Sequence, residues 1–514
     1  MREKPSIYAS RTPSIIERSN DLYRSLEPTF EHLLQCEDPD RHNVRQDAYV
    51  RHATMERELM EYCSGQTNAV AFLVGATGIG KSTLIRHALQ INRPPILCEG
   101  TLIIFFSFNQ RYIADQTEMR NQMAKVFQQA VWLAKGGEEK YDSEDIDKLC
   151  AYVTETSPDI LNDPRLDLSQ PPLQRTKALI DMPEVAYQTS QIALKYYAAS
   201  NLLVNRLVLI IDDLEMLVTP NLQKEAICNA LETRGCLLNT ASKRQVPVRL
   251  LISVRPETHE WVSQLSQVRT TVFREIRFDE PVSLFEIFKM RFDAVFNRDE
   301  YKHIRDPGRL EQAMGVLDAV GDALANKFSG RFVRLNNFDL RLSLEVFRQV
   351  VCNRRWLQRD PDWQDSFVVE GHNFAITAAA VLRALGMGEG EVYPQGGTCL
   401  ANLLHNLREP SSDLILLYII KYLQARHADS SSRAKLEEDF KRALGTAFDI
   451  HLMTDLIEYG LARGLIHQES SENGTRLTVT PRAKELYSML EESTLLLEVF
   501  RDDMWHQTGI RRPL

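Results

Sequence analysis

No apolar run in this 514-residue sequence is long enough to cross a membrane. Runs such as LVLII at Leu207–Ile211 fall far short of the roughly 18 residues that a spanning helix needs. The opening segment, MREKPSIYASRTPS, lacks the apolar core of a secretory signal. None of the eight cysteines forms a C-x-x-C pair, which counts against zinc ribbons and thioredoxin-type redox chemistry. The twelve histidines are dispersed without an H-x-x-x-H pair, so lone ones such as His52, His303 and His405 read as structural. A G-x-S-x-G elbow is also missing, which removes the commonest serine-hydrolase signature. Basic residues are outnumbered, 61 against 70 acidic, for a net charge of -9. That balance disfavours non-specific coating of nucleic acid, which is driven by basic surface. What remains is the composition of an ordinary folded chain, 44% hydrophobic and 25% charged, long enough for about three to five domains. Scattered cysteines and the lack of membrane or export signals lead to the expectation of a soluble, cytoplasmic protein with reduced thiols.

The first informative segment is AVAFLVGATGIGKSTLIRHALQ, residues 69–90. Ala69–Val74 reads as a buried parallel strand. Gly75-Ala76-Thr77-Gly78-Ile79-Gly80-Lys81-Ser82 follows, and a helical pattern begins at Thr83. This is G-x-x-x-x-G-K-S in the context its chemistry requires, strand then loop then helix. Glycines let the backbone wrap with N–H groups pointing inward as an anion nest. The helix N-terminus adds a positive dipole end. Residues Gly75 through Thr83 are therefore expected to cradle phosphates, with Lys81 on the β and γ phosphates and Ser82 on Mg²⁺.

Such a loop needs an acidic partner for the metal. Leu207–Ile211 is a continuous apolar run followed by Asp212-Asp213-Leu214-Glu215. Ligands bind at the C-terminal ends of strands in open α/β sheets, so Asp212 is expected in the Mg²⁺ shell. Asp213 is the candidate general base for an attacking water, with Glu215 as runner-up. Val248–Val254 is a further strand, with Ser253 and Arg255 near its end. In this position Ser253 and Arg255 are candidates to contact the γ-phosphate or the attacking water, the alternative being a strand-to-helix turn with Ser253 as helix cap. Leu102–Phe106 and Val272–Phe278 complete five expected strands, and a helix is expected near Glu118–Ala134. ATP is preferred over GTP because no N-K-x-D motif is present; Asn326-Lys327 is followed by Phe-Ser.

In this order the parts resemble the additional-strand class of P-loop ATPases. More narrowly they are similar to AAA+ proteins of the origin-recognition and initiator type and to their signalling relatives, the STAND ATPases. The DDLE and SVRPE stretches are the more STAND-like features. The resemblance spans roughly residues 69–351. It implies an α/β P-loop core, a parallel sheet with an additional strand, followed by an all-α lid. FSGRFVRLNNFDLRLSLEVFR, residues 328–348, resembles the start of the lid helix that carries a second sensor arginine. The matching position is Arg341, with Arg334 second, and the implied role is to reach the γ-phosphate. A trans-acting arginine is implied as well, with Arg269, Arg274 and Arg277 in the right region and no basis for choosing among them. Val50 and Arg51 fall in the region that borders the adenine in those families.

The domains are expected at 1–48 (a polar arm), 49–282 (the ATPase core), 283–355 (the lid), 356–411 (a connector) and 412–514. Within the core, the Asp- and Pro-containing stretch 135–173 reads as an insertion. In the last segment three helical patterns, Asp413–Leu423, Arg433–Leu444 and Phe448–Leu461, precede two short strands around an S-E-N-G turn and a helix after Pro481. This resembles a winged helix. In initiators the third helix enters the major groove. Here residues 411–514 hold 13 Lys/Arg against 16 Asp/Glu, which favours a protein partner over DNA, although Arg463, Arg476, Arg482, Arg511 and Arg512 leave local DNA contacts open.

These features imply an ATP-hydrolysing switch that couples nucleotide state to homo-oligomer assembly and partner engagement. Bacterial defence and mobile-element or DNA transactions are the settings the resemblance suggests. The alternatives are a nucleotide-locked scaffold or signalling protein with negligible turnover, and a winged-helix DNA-binding initiator or regulator.

Overall fold

The computed structural model describes most of residues 49–296, then 331–346 without 341 and 345, and several later stretches; those are 367–370, 373–376, 415–425, 432–445, 449–471 and 474–492, with two-residue strands at 37–38 and 43–44. Most of the expected arm, most of the connector, Arg341, Arg269 and the tail arginines Arg511 and Arg512 lie outside the described residues. The chain divides into two compact units, with the boundary near residue 281.

The first unit is built on a six-stranded sheet. Helix α1 (Ala53–Ser64) leads into β1 (Ala69–Val74), and α2 (Lys81–Ala88) follows the loop. A short edge strand β2 (Ile96–Cys98) turns back into β3 (Thr101–Ser107). Four helices come next: α3 (Gln116–Lys135), α4 (Ser143–Thr156), α5 (Pro172–Asp181) and α6 (Ala186–Ser200). Then β4 (Arg206–Asp212), α7 (Pro220–Leu238), β5 (Val248–Val254), α8 (Pro256–Val262) and β6 (Phe273–Arg277) complete the layer structure.

The strand order is β2-β3-β4-β5-β1-β6. All pairs are parallel except β2 with β3. The central strands are apolar at nearly every position because helices cover both faces. In β1, β4 and β5, Phe72, Leu209, Ile210 and Leu251 are buried almost completely. The strand that carries the glycine loop therefore sits between β5 and β6, one strand away from the acidic β4, and all their C-terminal ends open on one edge.

The stretch 135–173 contains folded helix. Asp142 caps α4 in a reciprocal box with Asp145, and Leu149, Val153, Leu161 and Leu166 join the same core cluster as Phe106 and Phe127. Asp145 also accepts from the Tyr197 hydroxyl at 2.9 Å and pairs with Lys135. Acidic and proline-containing surface residues mask this apolar face in the sequence.

In the second unit, the helical region includes α9 (Leu284–Phe296) and α10 (Arg331–Leu335). The connector holds an antiparallel hairpin that the sequence reading passed over, β7 (Phe367–Glu370) with β8 (Asn373–Ile376). The C-terminal part runs α11 (Ile415–Ala425), α12 (Arg433–Leu444), α13 (Ile450–Ala462), β9 (Ile466–Ser471), β10 (Gly474–Val479) and α14 (Pro481–Glu492). Three helices followed by an antiparallel two-stranded wing form a winged helix. Its core is Leu416, Ile419, Ile420, Leu436, Leu456, Ile457, Leu477 and Leu486, the apolar positions of each amphipathic element.

Candidate functional site

The loop after β1 is shaped by its glycines. Gly75 donates its N–H to the Val254 carbonyl at 3.2 Å, which ties the loop to the end of β5. A Cβ at Gly75 would stand 2.9 Å from the Phe278 carbonyl oxygen, so a side chain has no room. Gly78 and Gly80 hold φ of 71° and 105°, the left-handed region that glycine enters without penalty. Ile79 between them is buried and anchors the turn, while Thr77 and Gly78 face solvent. Helix α2 begins at Lys81, two residues before the expected start at Thr83, because Gly80 is its N-cap. That N-terminus carries no side-chain cap and no acidic residue in its first turn. Its first-turn N–H groups, including those of Ser82 and Thr83, are thus left for an anion.

Lys81 folds back over the loop. Its Nζ donates to the Gly75 carbonyl at 2.7 Å and the Ala76 carbonyl at 3.0 Å. It is 5% exposed. Burial holds its basicity below the ordinary lysine value, while the carboxylates of Glu215, Asp212 and Asp213 push the other way.

The acidic partners arrive from β4. Asp212 is the last residue of the strand and is 1% exposed. Its carboxyl is pushed up to about 7, first by burial, then by the negative charge of Asp213 beside it. Hydrogen bonds from Ser82 and Ser253 offset part of that rise. Its Oδ2 is buried and finds no hydrogen-bond partner among the described residues. Asp213 has φ 58°, an uncommon left-handed conformation for a residue with a side chain. There its Oδ1 accepts from the Ser82 hydroxyl at 3.2 Å and its Oδ2 from the Ser107 hydroxyl. Ser107 closes β3 in register with Asp212. The sequence reading missed it, although a lone hydroxyl at the end of the apolar run LIIFF is the available signal.

Glu215 lies in the short turn after Asp213, and its carboxylate is 4.0 Å from the Arg255 guanidinium. Arg255 sits between β5 and α8, near enough for its charge to act on Lys81. Ser253 is inside β5 and fully buried, with its hydroxyl on Asp212. It does not cap α8, which starts three residues later at Pro256.

The structure thus brings together Gly75 through Thr83, Asp212, Asp213, Glu215, Ser253 and Arg255 on one edge of the sheet. A buried ammonium, a serine hydroxyl at a helix N-terminus and a desolvated carboxylate with an unmatched oxygen are groups whose chemistry suits a polyanion and a hard cation. Arg274 pairs with Glu58 at 2.7 Å and Arg277 with Glu275 at 2.7 Å, both on or beside β6. In the second unit Arg334 donates to Glu485 at 3.3 Å, so it is engaged with the winged helix.

Two arginines beside α13 make contacts within the winged helix. Asp449 caps that helix by accepting from the N–H groups of His451 and Leu452. Arg463 lies over the Tyr459 ring at 5.6 Å. Arg482 is buried and donates to the Arg463 carbonyl at 2.9 Å.

No protein-family profile and no curated protein sequence matches the chain. Among solved structures it is similar to the ORC2 protein of Aeropyrum pernix in its ADPNP-ADP complexes, at 13% identity and a TM-score of 0.35, over 90% of this chain and 95% of that one. It is similar to Cdc6p from Pyrobaculum aerophilum at 14% identity and a TM-score of 0.32, over 89% and 96%. Drosophila ORC bound to DNA follows at 12% and 0.30, over 95% of each chain. The fold of this chain rests on its own sheet order and loop geometry.

Proposed function

We propose that the chain is an ATP-binding and ATP-hydrolysing switch of the AAA+ type. The observation that carries the reading is the convergence of Lys81 and Ser82, from the start of α2, with Asp212 and Asp213, at the end of β4, around a helix N-terminus without a side-chain cap. A divalent cation such as Mg²⁺ fits the donor set, since Asp212 Oδ2 is buried without a partner and the Ser82 hydroxyl lies beside it. When bound, Mg²⁺ supplies charge neutralisation on the phosphate oxygens.

The backbone of residues 75–83 holds the phosphates. Lys81 leaves the Gly75 and Ala76 carbonyls and turns its ammonium to the β and γ oxygens, a rotation its two neutral acceptors permit. Ser82 and Asp212 would hold the cation. Asp213 aligns the attacking water and receives its proton, with Ser107 and Ser82 fixing the carboxylate's direction. Glu215 is the second candidate for that proton, and Arg255 beside it balances charge as the γ-phosphoryl leaves. Ser253 acts on Asp212 as a positioning residue. Arg341 is proposed as the lid's sensor of the γ-phosphate.

Nucleotide state would set assembly of copies of the chain and the presentation of the winged helix. A protein partner fits that domain better than DNA, because Asp455 and Glu458 lie on α13 and Arg482 is buried with its guanidinium on the Arg463 carbonyl. The test compares wild-type protein with Asp213→Asn, measuring Mg-ATP affinity and single-turnover hydrolysis separately. Retained binding with turnover reduced a hundredfold or more supports the switch. Equal turnover removes Asp213 from the chemistry. Retained nucleotide without turnover in either protein supports the locked-scaffold alternative.

A further inference from the structure

Two consecutive residues with side chains, Asn337 and Phe338, hold φ of 54° and 62° in the turn that follows α10. Such conformations cost free energy and persist where the surroundings over-determine them. Here the surroundings are the winged helix. The Asn337 amide Nδ2 donates to the Gly464 carbonyl at 3.1 Å, at the turn that ends α13. Its Oδ1 accepts from the Arg482 N–H at 2.9 Å, in the first turn of α14. One side chain thus caps two ends of the winged helix from more than a hundred residues away. Gly464, itself at φ 62°, would place a Cβ 3.3 Å from the same amide, so the approach depends on glycine.

A second set of contacts lies along the same helix pair. Glu485 of α14 accepts from Arg331 at 3.1 Å and from Arg334 at 3.3 Å, and Arg331 also reaches Glu492 at 2.6 Å. Glu485 is 7% exposed, while Arg331 and Arg334 keep part of their side chains in water, so the buried carboxylate rather than its partners gains from the pairing. Phe332 and Leu335 are buried, and α10 packs on α14. The backbone of the turn closes on itself, Asn337 N–H on the Arg334 carbonyl and Phe338 N–H on the Val333 carbonyl.

We infer that the turn 336–339 is a clamp: Asn337, with the Glu485 pairs behind it, fastens segment 331–339 to the winged helix so that the two move as one body. Any rotation of that segment then re-aims α13 and the wing rigidly. The transmission half of this inference rests on the nucleotide-switch reading, since the candidate sensor Arg341 stands two residues past the clamp. The weld itself does not.

The test is amide hydrogen exchange on the full chain, comparing wild type, Asn337→Gly and Glu485→Gln. Glycine accepts the left-handed backbone, so Asn337→Gly deletes the clamp without straining the turn. Glu485→Gln removes the buried charge and leaves the turn intact. In the absence of nucleotide, both variants are expected to exchange at least about tenfold faster across 331–339 and 480–486 together, with 69–88 unchanged. Faster exchange confined to 336–339, with 480–486 as in wild type, overturns the weld. With ATPγS and Mg²⁺, wild type is expected to change at 69–88 and at 463–468. In Asn337→Gly the first change persists and the second disappears. A persistent change at 463–468 in that variant overturns the transmission. No protection of 69–88 in any of the proteins refutes nucleotide binding instead, and the weld is still decided by the nucleotide-free comparison.

Discussion

Replacing Asp212 with Asn should stabilise the nucleotide-free protein at alkaline pH while removing its response to Mg-ATP. Asp212 is buried, with a folded value of about 7 against 3.8 for the free side chain. A carboxyl whose folded value is raised binds its proton more tightly in the folded state. Its contribution is therefore fully present below about pH 4 and is lost as pH rises through about 7. Three units correspond to about 4 kcal/mol, at roughly 1.4 kcal/mol per unit. Asparagine avoids that loss but places an amide N–H₂ where Oδ2 has no partner, which costs about 1–3 kcal/mol. The net gain at pH 8 is then about 1–3 kcal/mol. For a unit of this size, that is an upward shift of roughly 2–12 °C in Tm. At pH 5 the gain vanishes or reverses. Scanning calorimetry of both proteins at pH 5 and pH 8, in chelator and without nucleotide, reads the difference. An Asp212→Asn variant that melts lower than wild type at both pH values, by the same margin, would refute the burial argument.

Three further outcomes follow from the same edge of the sheet and its core. Ser107→Ala removes a hydrogen bond to the Asp213 carboxylate, so about 1.5–3 kcal/mol of orientation is lost; kcat should fall at least about tenfold, with Mg-ATP affinity unchanged in a titration. Gly80→Ala forces a side chain into φ 105°. The strain of about 1–3 kcal/mol should weaken ATP binding by about tenfold or more, read by calorimetric titration. Phe127→Ala opens a cavity beneath Phe106, which it meets edge-to-face at 5.0 Å; the sheet unit should lose about 3–5 kcal/mol in denaturant unfolding.

The strands were the most legible part of the sequence. Ala69–Val74 and Val248–Val254 appear with the bounds the apolar runs indicate, because a central parallel strand is hydrophobic on both faces. Edge strand β2 was not legible, being three residues long and antiparallel. The stretch 135–173 looks like a polar insertion because its acids and prolines sit outward, while Leu149, Val153 and Leu161 face inward at helical spacing. In the site, the residue types of the glycine loop and of Asp212 and Asp213 dictate their positions at the strand ends. Which carboxylate Ser82 and Ser107 meet was not readable, since it depends on the left-handed turn at Asp213. Arg334 illustrates the limit for cations: the motif offers it as a sensor, and only packing against α14 reveals its pairing with Glu485.

The central claim is that this edge of the sheet hydrolyses ATP. It is tested most directly by steady-state phosphate release as a function of protein concentration, with and without double-stranded DNA, using Lys81→Ala as control. Wild type is expected to show Mg²⁺-dependent turnover that is lost in Lys81→Ala, rising faster than linearly with concentration if copies of the chain complete one another's sites. Turnover that survives Lys81→Ala, or no binding of Mg-ATP by wild type, would contradict it.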